Sequence, residues 1–125
     1  MLSVYIVQLN VVDLQAGIDW YTNVLGFSVS RENNFLHHGT TVQLEHDKGF
    51  RLILHNAETP ARINYPDDVQ TMVVWQTKDL LGTMAEMQAK GAEFITTEPQ
   101  DIDVGRFVAF RDPFGNVHEL IELRE

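Results

Sequence analysis

The sequence predicts an α+β fold made of two βαβββ modules, and three observations predict it. A strand-like run leads into an Asp-Leu pair twice, at Asp13 and at Asp79, 66 residues apart (79 − 13) in a chain of 125. A helical segment follows each pair, DLQAGIDWYTNVLGF in the first half and DLLGTMAEMQAKGAEF in the second. Each half then closes on a turn and a β-like run, HDKGFRLIL and RDPFGNVHEL. A unit repeated in this way buries its apolar face partly against the other copy, and two copies can enclose a cleft.

Residues 3–11 alternate, with Tyr5, Val7, Leu9 and Val11 on one face and Val4, Ile6, Gln8 and Asn10 on the other, which is strand periodicity. Asp13 is placed to cap a helix over residues 13–25, where Leu14, Ile18, Tyr21 and Leu25 recur at helical spacing and Gly26 stops it. Short strands are expected near 26–31, 40–45 and 51–55, the last two joined by a turn at Asp47, Lys48 and Gly49. Residues 56–69 contain Pro60 and Pro66 and have no periodicity, so they read as a linker. The result is one domain, with module 1 at about 1–57, a linker at about 58–69 and module 2 at about 70–125.

The second module repeats the order. A strand is expected over 70–77, then a helix over 79–90 capped by Asp79, with Leu80, Met84 and Met87 on its apolar side and Gly91 at its end. A strand at 92–97 leads to an acidic loop carrying Glu98, Asp101 and Asp103. Strands at 106–111 and 116–123 form a hairpin through residues 112–116.

Composition narrows the function classes. With 44% hydrophobic and 22% charged residues the chain is ordinary globular material. The absence of cysteine excludes disulfides and thiolate metal sites and fits a cytoplasmic protein. The apolar start, MLSVYIVQLNVV, lacks a basic region and a cleavage site and reads as a strand rather than a signal peptide. No run approaches the ~20 apolar residues of a membrane span. A formal charge of −9 opposes binding to nucleic acid or anionic membranes; it reads first as an ordinary solubility charge, with attraction of a cationic small ligand as the functional alternative.

DLQAGIDWYTNVLGF, GAEF and GRFVAFRDPFGNVHELIE together resemble the vicinal-oxygen-chelate superfamily of glyoxalase I, extradiol dioxygenases, fosfomycin-resistance and bleomycin-resistance proteins. The resemblance covers almost the whole chain. It implies paired βαβββ modules forming a curved mixed sheet around a cleft, and a homodimer. Fold does not give function, so the site is argued residue by residue.

Metal-dependent members of the superfamily carry one ligand seven positions before each helix-opening Asp and another on the last strand of each module. Carried over, these positions are Ile6, Met72, Ile53 and Glu119. Two branched alkyl groups and a thioether are not partners for a hard divalent ion, so the resemblance implies no metal and no cofactor here. A displaced set of Gln8, His55 and Glu119 is an alternative, because alternation puts Gln8 with Ile6, and Arg51 and His55 with Ile53, on the cleft side. Without metal, Glu119 is expected to be hydrogen-bonded or paired with Arg51, and is also a candidate general base.

The other aromatic and histidine residues read as structural. His37 and His38 fall in a polar turn, as does His46, and His118 points away from the cleft beside Glu119. Trp20, Tyr21 and Trp75 belong with packing. Two functions follow. The first is a metal-free binding protein similar to bleomycin-resistance proteins, sequestering a cationic or aromatic compound such as an antibiotic. Its ligand site would use Ile6, Gln8, Arg51, Ile53, His55, Met72, Val74 and Phe114. The second is a glyoxalase I-like lyase or isomerase, with a rebuilt metal site or with Glu119 as base.

Overall fold

Each Asp-Leu pair starts a helix in the predicted way. Asp13 and Asp79 stand in extended backbone, and each side chain accepts from the amide three residues on, Ala16 and Gly82, both at 3.1 Å. This satisfies one of the amides that a helix start leaves without an internal partner. The computed structural model describes residues 1–30, 41–47 and 49–125. They fall into two units, Met1–Ala61 and Arg62–Glu125. The paired histidines at 37 and 38 lie outside the described residues.

The first unit contains β1 (Val7–Val11), α1 (Leu14–Leu25), β2 (Ser28–Val29), β3 (Thr41–Glu45) and β4 (Arg51–Asn56). Its sheet runs β1-β4-β3-β2, with β1 parallel to β4 and the other pairs antiparallel. Val11, Leu44, Leu52 and Leu54 are fully buried on the helix side. Gly17 allows that approach, since a Cβ there would sit 3.1 Å from Val11 Cγ2 and 3.3 Å from Leu54 Cδ1. The buried stripe of α1 is Gly17, Tyr21 and Val24, so Leu14, Ile18 and Leu25 are only half-buried at its margin. Gly26 ends the helix at φ 79°, the left-handed conformation that glycine adopts without cost.

The second unit contains β5 (Val73–Gln76), α2 (Leu80–Ala89), β6 (Glu93–Phe94), β7 (Gln100–Ile102), β8 (Gly105–Arg111) and β9 (Val117–Leu123). Its sheet runs β5-β9-β8-β6, with β7 also paired to β8, and β5 is parallel to β9. Leu80, Met84 and Met87 are the buried residues of α2, as their spacing predicts. The β8–β9 turn is organised by buried Asp112. Its Oδ1 accepts from the Phe114 and Asn116 amides at 2.8 and 2.9 Å, and its Oδ2 accepts from Asn116 Nδ2 at 2.7 Å.

The α+β class holds, with each module's first strand parallel to its last. Gln8 pairs with Ile53 and Val74 with Glu119, and both pairs differ by the same 66 residues as the two capping aspartates. The strand bounds differ from expectation for physical reasons. The first strand begins at Val7, not residue 3, because its partner β4 begins at Arg51 and Val7 already faces Leu52. Residues 3–6 outrun the ladder, leaving Val4 and Tyr5 exposed. The expected acidic loop contains β7, whose Asp101 faces Arg106 across the hairpin. All three of its residues are exposed, so no apolar alternation marked it.

Gly82 and Asp79 give a test of this cap. An ideal Cβ at Gly82 would overlap the Asp79 carboxylate. Replacing a helix-interior glycine with alanine ordinarily stabilises by about 1 kcal/mol, and losing an Asp cap costs about 1 kcal/mol. Gly82→Ala alone is therefore expected to be neutral or destabilising, and to become stabilising in an Asp79→Ala background. Urea denaturation of the two single variants and the double variant measures this coupling, and additive effects would refute it.

Candidate functional site

Strand β9 divides its residues between two faces. His118, Leu120 and Glu122 lie on the helix side, where Glu122 Oε1 accepts from the first amide of α2, at Leu80, at 2.8 Å. That amide and the Arg106 guanidinium, at 3.1 Å, hold the Glu122 carboxyl below its usual range. Val117, Glu119 and Ile121 lie on the opposite face, open only in that the helix of the unit does not pack on it: Val117 is buried there, and Glu119 and Ile121 are half-buried. Register builds two rows on this face, Val74–Glu119–Ala109 and Gln76–Ile121–Phe107. Glu119 is thus a half-buried carboxylate flanked by aliphatic side chains, with an aromatic ring in the next row.

The residue that meets Glu119 comes from the segment expected to be a linker. Tyr65 donates its hydroxyl to Glu119 Oε2 at 2.6 Å, the short distance of a charge-assisted bond. Burial first, and the bond to the Glu119 charge second, push the phenol up to about 12, so it stays a donor throughout the neutral range. The segment is itself tied down. Asp68 N–H donates to Asn64 O at 2.9 Å, the Asp68 carboxylate accepts from the Asn64 amide at 3.2 Å, and Arg111 donates to Ile63 O at 2.8 Å. Sequence reading missed Tyr65 because a residue in an irregular turn has no periodicity to reveal its direction. Its only signal was an aromatic ring in an otherwise polar, proline-containing stretch.

In the first unit the open face is polar. Its rows are Gln8–Ile53–Gln43, Asn10–His55–Thr41 and Arg51–Glu45. Gln8, Arg51, Ile53 and His55 share a face as alternation predicts, but Gln8 stands across from Ile53, and His55 across from Asn10. Ile6 precedes β1, and half-buried Met72 precedes β5. Of the two expectations for Glu119, a hydrogen bond or a pairing with Arg51, the first is met within its own unit. Glu119 bonds to Tyr65, while Arg51 lies 3.7 Å from the Glu45 carboxylate and 5.1 Å over the Tyr5 ring. Phe114 is buried within the Asp112 turn and is not part of either open face.

The donor chemistry does not fit the metal that some relatives of this fold carry. Ile6, Ile53 and Met72 offer no oxygen or nitrogen donor, and one oxygen of Glu119 is already committed to Tyr65. Among the described residues no three His, Asp or Glu side chains converge.

Comparison with known proteins places this arrangement. The family model of the Glyoxalase/Bleomycin resistance protein/Dioxygenase superfamily matches residues 4–120. An uncharacterized protein YetH of Bacillus subtilis is 27% identical over 112 residues, covering 88% of this chain and 89% of that one. Among solved structures, TnmS3, an antibiotic binding protein from Streptomyces sp. CB03234, is 22% identical with a TM-score of 0.75, over 99% of this chain and 98% of that one. The E126Q mutant of the fosfomycin resistance protein FosX from Listeria monocytogenes, complexed with Mn(II), is 15% identical with a TM-score of 0.78, over 99% and 94%.

His118 belongs to the core under α2. It is 1% exposed, stacks on Phe110 with ring centroids 5.1 Å apart, and its Nδ1 accepts from Trp75 Nε1 at 3.2 Å. Burial pushes the imidazole down from 6.5 to about 4. Between those values the unfolded chain binds a proton that the folded chain refuses, so stability is full above pH 6.5 and falls as the pH drops towards 4. At one pK unit per 1.36 kcal/mol the loss is about 2–3 kcal/mol. Urea denaturation at pH 7 and pH 4.5 is expected to show that loss in the native chain and a correspondingly smaller one in His118→Phe.

Proposed function

The chain belongs to the Glyoxalase/Bleomycin resistance protein/Dioxygenase superfamily, and on that premise we propose that it is a metal-free small-molecule-binding protein that sequesters a cationic or aromatic compound, such as an antibiotic. One observation carries the reading: on the open face of the second sheet a single carboxylate, Glu119, is held by Tyr65 among Val74, Ala109, Ile121 and Phe107. A few oriented polar groups in apolar surroundings are what small-molecule sites generally combine. The net charge of −9 adds long-range attraction for a cation. The likeness to the antibiotic binding protein TnmS3 is one of fold, and the residues of this chain supply the argument for a ligand. No helix among the described residues is long and apolar enough to cross a membrane. Our reading places the protein in the cytoplasm as a homodimer. Light scattering returning the 14.3 kDa monomer mass at tens of micromolar would count against the dimer.

An aromatic cation is expected to raise the melting temperature, and moderate salt is expected to reduce that rise, since exposed charges are screened beyond ~8 Å at physiological ionic strength. Glu119→Gln keeps the shape and removes the charge, so it is expected to weaken the cation more than a neutral analogue. The competing reading is a lyase or isomerase with Glu119 as base. If anionic thiol adducts bind better than cations and are turned over, that reading replaces this one.

A further inference from the structure

We propose that the ligand recognised at Glu119 is a cation bearing an N–H donor, a protonated amine or amidinium attached to an apolar or aromatic body, and that Tyr65 is the positioning residue that selects it. The proposal rests on the binding-protein reading above and narrows it. Among the described residues the Glu119 side chain has one hydrogen-bond partner, the Tyr65 hydroxyl on Oε2 at 2.6 Å. A carboxylate has acceptor capacity at both oxygens, so Oε1 presents lone pairs with no donor of this unit to meet them.

The two side chains that flank Glu119 in register, Val74 and Ala109, supply no donor either. A cation entering this half-buried spot shields Oε1 from solvent and must itself supply a hydrogen bond there, because a charged acceptor left unsatisfied is costly. An ammonium or amidinium N–H does so directly. A quaternary ammonium cannot, and the aromatic cage that binds such groups without hydrogen bonds is missing from the register neighbours of Glu119. The adjacent row of Ile121 and Phe107 receives the apolar body.

Tyr65 acts through Glu119. It sits on a turn closed by Asn64 and Asp68 and pinned to β8 through Arg111. Its bond therefore fixes the carboxylate in one rotamer and leaves a single oxygen as the docking point.

Three probes with one ring system test this by calorimetry: naphthylmethylammonium, its N,N,N-trimethyl analogue and neutral naphthylmethanol. The ammonium is expected to bind tighter than each of the others by about tenfold or more, since the trimethyl analogue has no N–H to donate and the alcohol donates without a positive charge. Glu119→Gln is expected to erase that preference. Tyr65→Phe is expected to narrow the ammonium-to-trimethylammonium ratio while leaving naphthylmethanol unchanged, an effect that simple loss of structure would not produce. In native-sequence protein carrying fluorotyrosine, the fluorine resonance of Tyr65, one of three tyrosines, is expected to move more with the ammonium than with the trimethylammonium. Equal binding of ammonium and trimethylammonium, or an unmoved Tyr65 resonance, overturns the N–H requirement or the role of Tyr65 and leaves a small-molecule binder standing. Failure of all three probes to bind overturns both this inference and the cation reading beneath it.

Discussion

The parallel pairing of first and last strand within each module is the constraint on which the rest depends. Parallel strands cannot be joined by a tight turn, so a crossover is obligatory, and here the chain passes through a helix and further strands before the last one returns. The pairing also decides orientation. A slip of one residue between β5 and β9 would move Glu119 from the open face to the helix side and expose His118, reversing which of the two side chains is buried. The modules share this register but differ in the side chains it sets side by side. Gln8 and Ile53 occupy in the first the places of Val74 and Glu119 in the second.

That side-chain difference explains why the two open faces differ chemically on one backbone plan. The first has amide, hydroxyl and imidazole groups around Ile53, and its one charged row, Arg51 with Glu45, is internally compensated. The second is apolar around one carboxylate with a phenol attached. Helix-side residues are constrained by packing, as Gly17 against Val11 and Leu54 shows.

Legibility in the sequence follows the same division. Local rules made the caps readable, because an Asp before a helical stripe has one dominant role. Alternation placed Gln8, Arg51, Ile53 and His55 together, and separated His118 from Glu119. It overextended β1, since a strand ends where its partner ends and the start of β4 is not visible in residues 3–6. It missed β7, where Gln100 and Asp101 are exposed, and it could not see Tyr65, brought to Glu119 from 54 residues away. It gave no direction for Phe114, which is buried in the turn around Asp112 with its amide bonded to that carboxylate.

The distribution of indoles has a practical consequence. The chain has two tryptophans, and they fall one to each unit, Trp20 on α1 and Trp75 on β5. Trp75 is hydrogen-bonded to a buried imidazole, so its emission responds to the integrity of the core under α2. Trp20 lies edge-on to buried Tyr21, with centroids 4.8 Å apart, and responds to the packing of α1. Each half of the molecule thus contains its own optical reporter, and phenylalanine at either position would leave a single-tryptophan chain in which the unfolding of one half is followed without interference from the other.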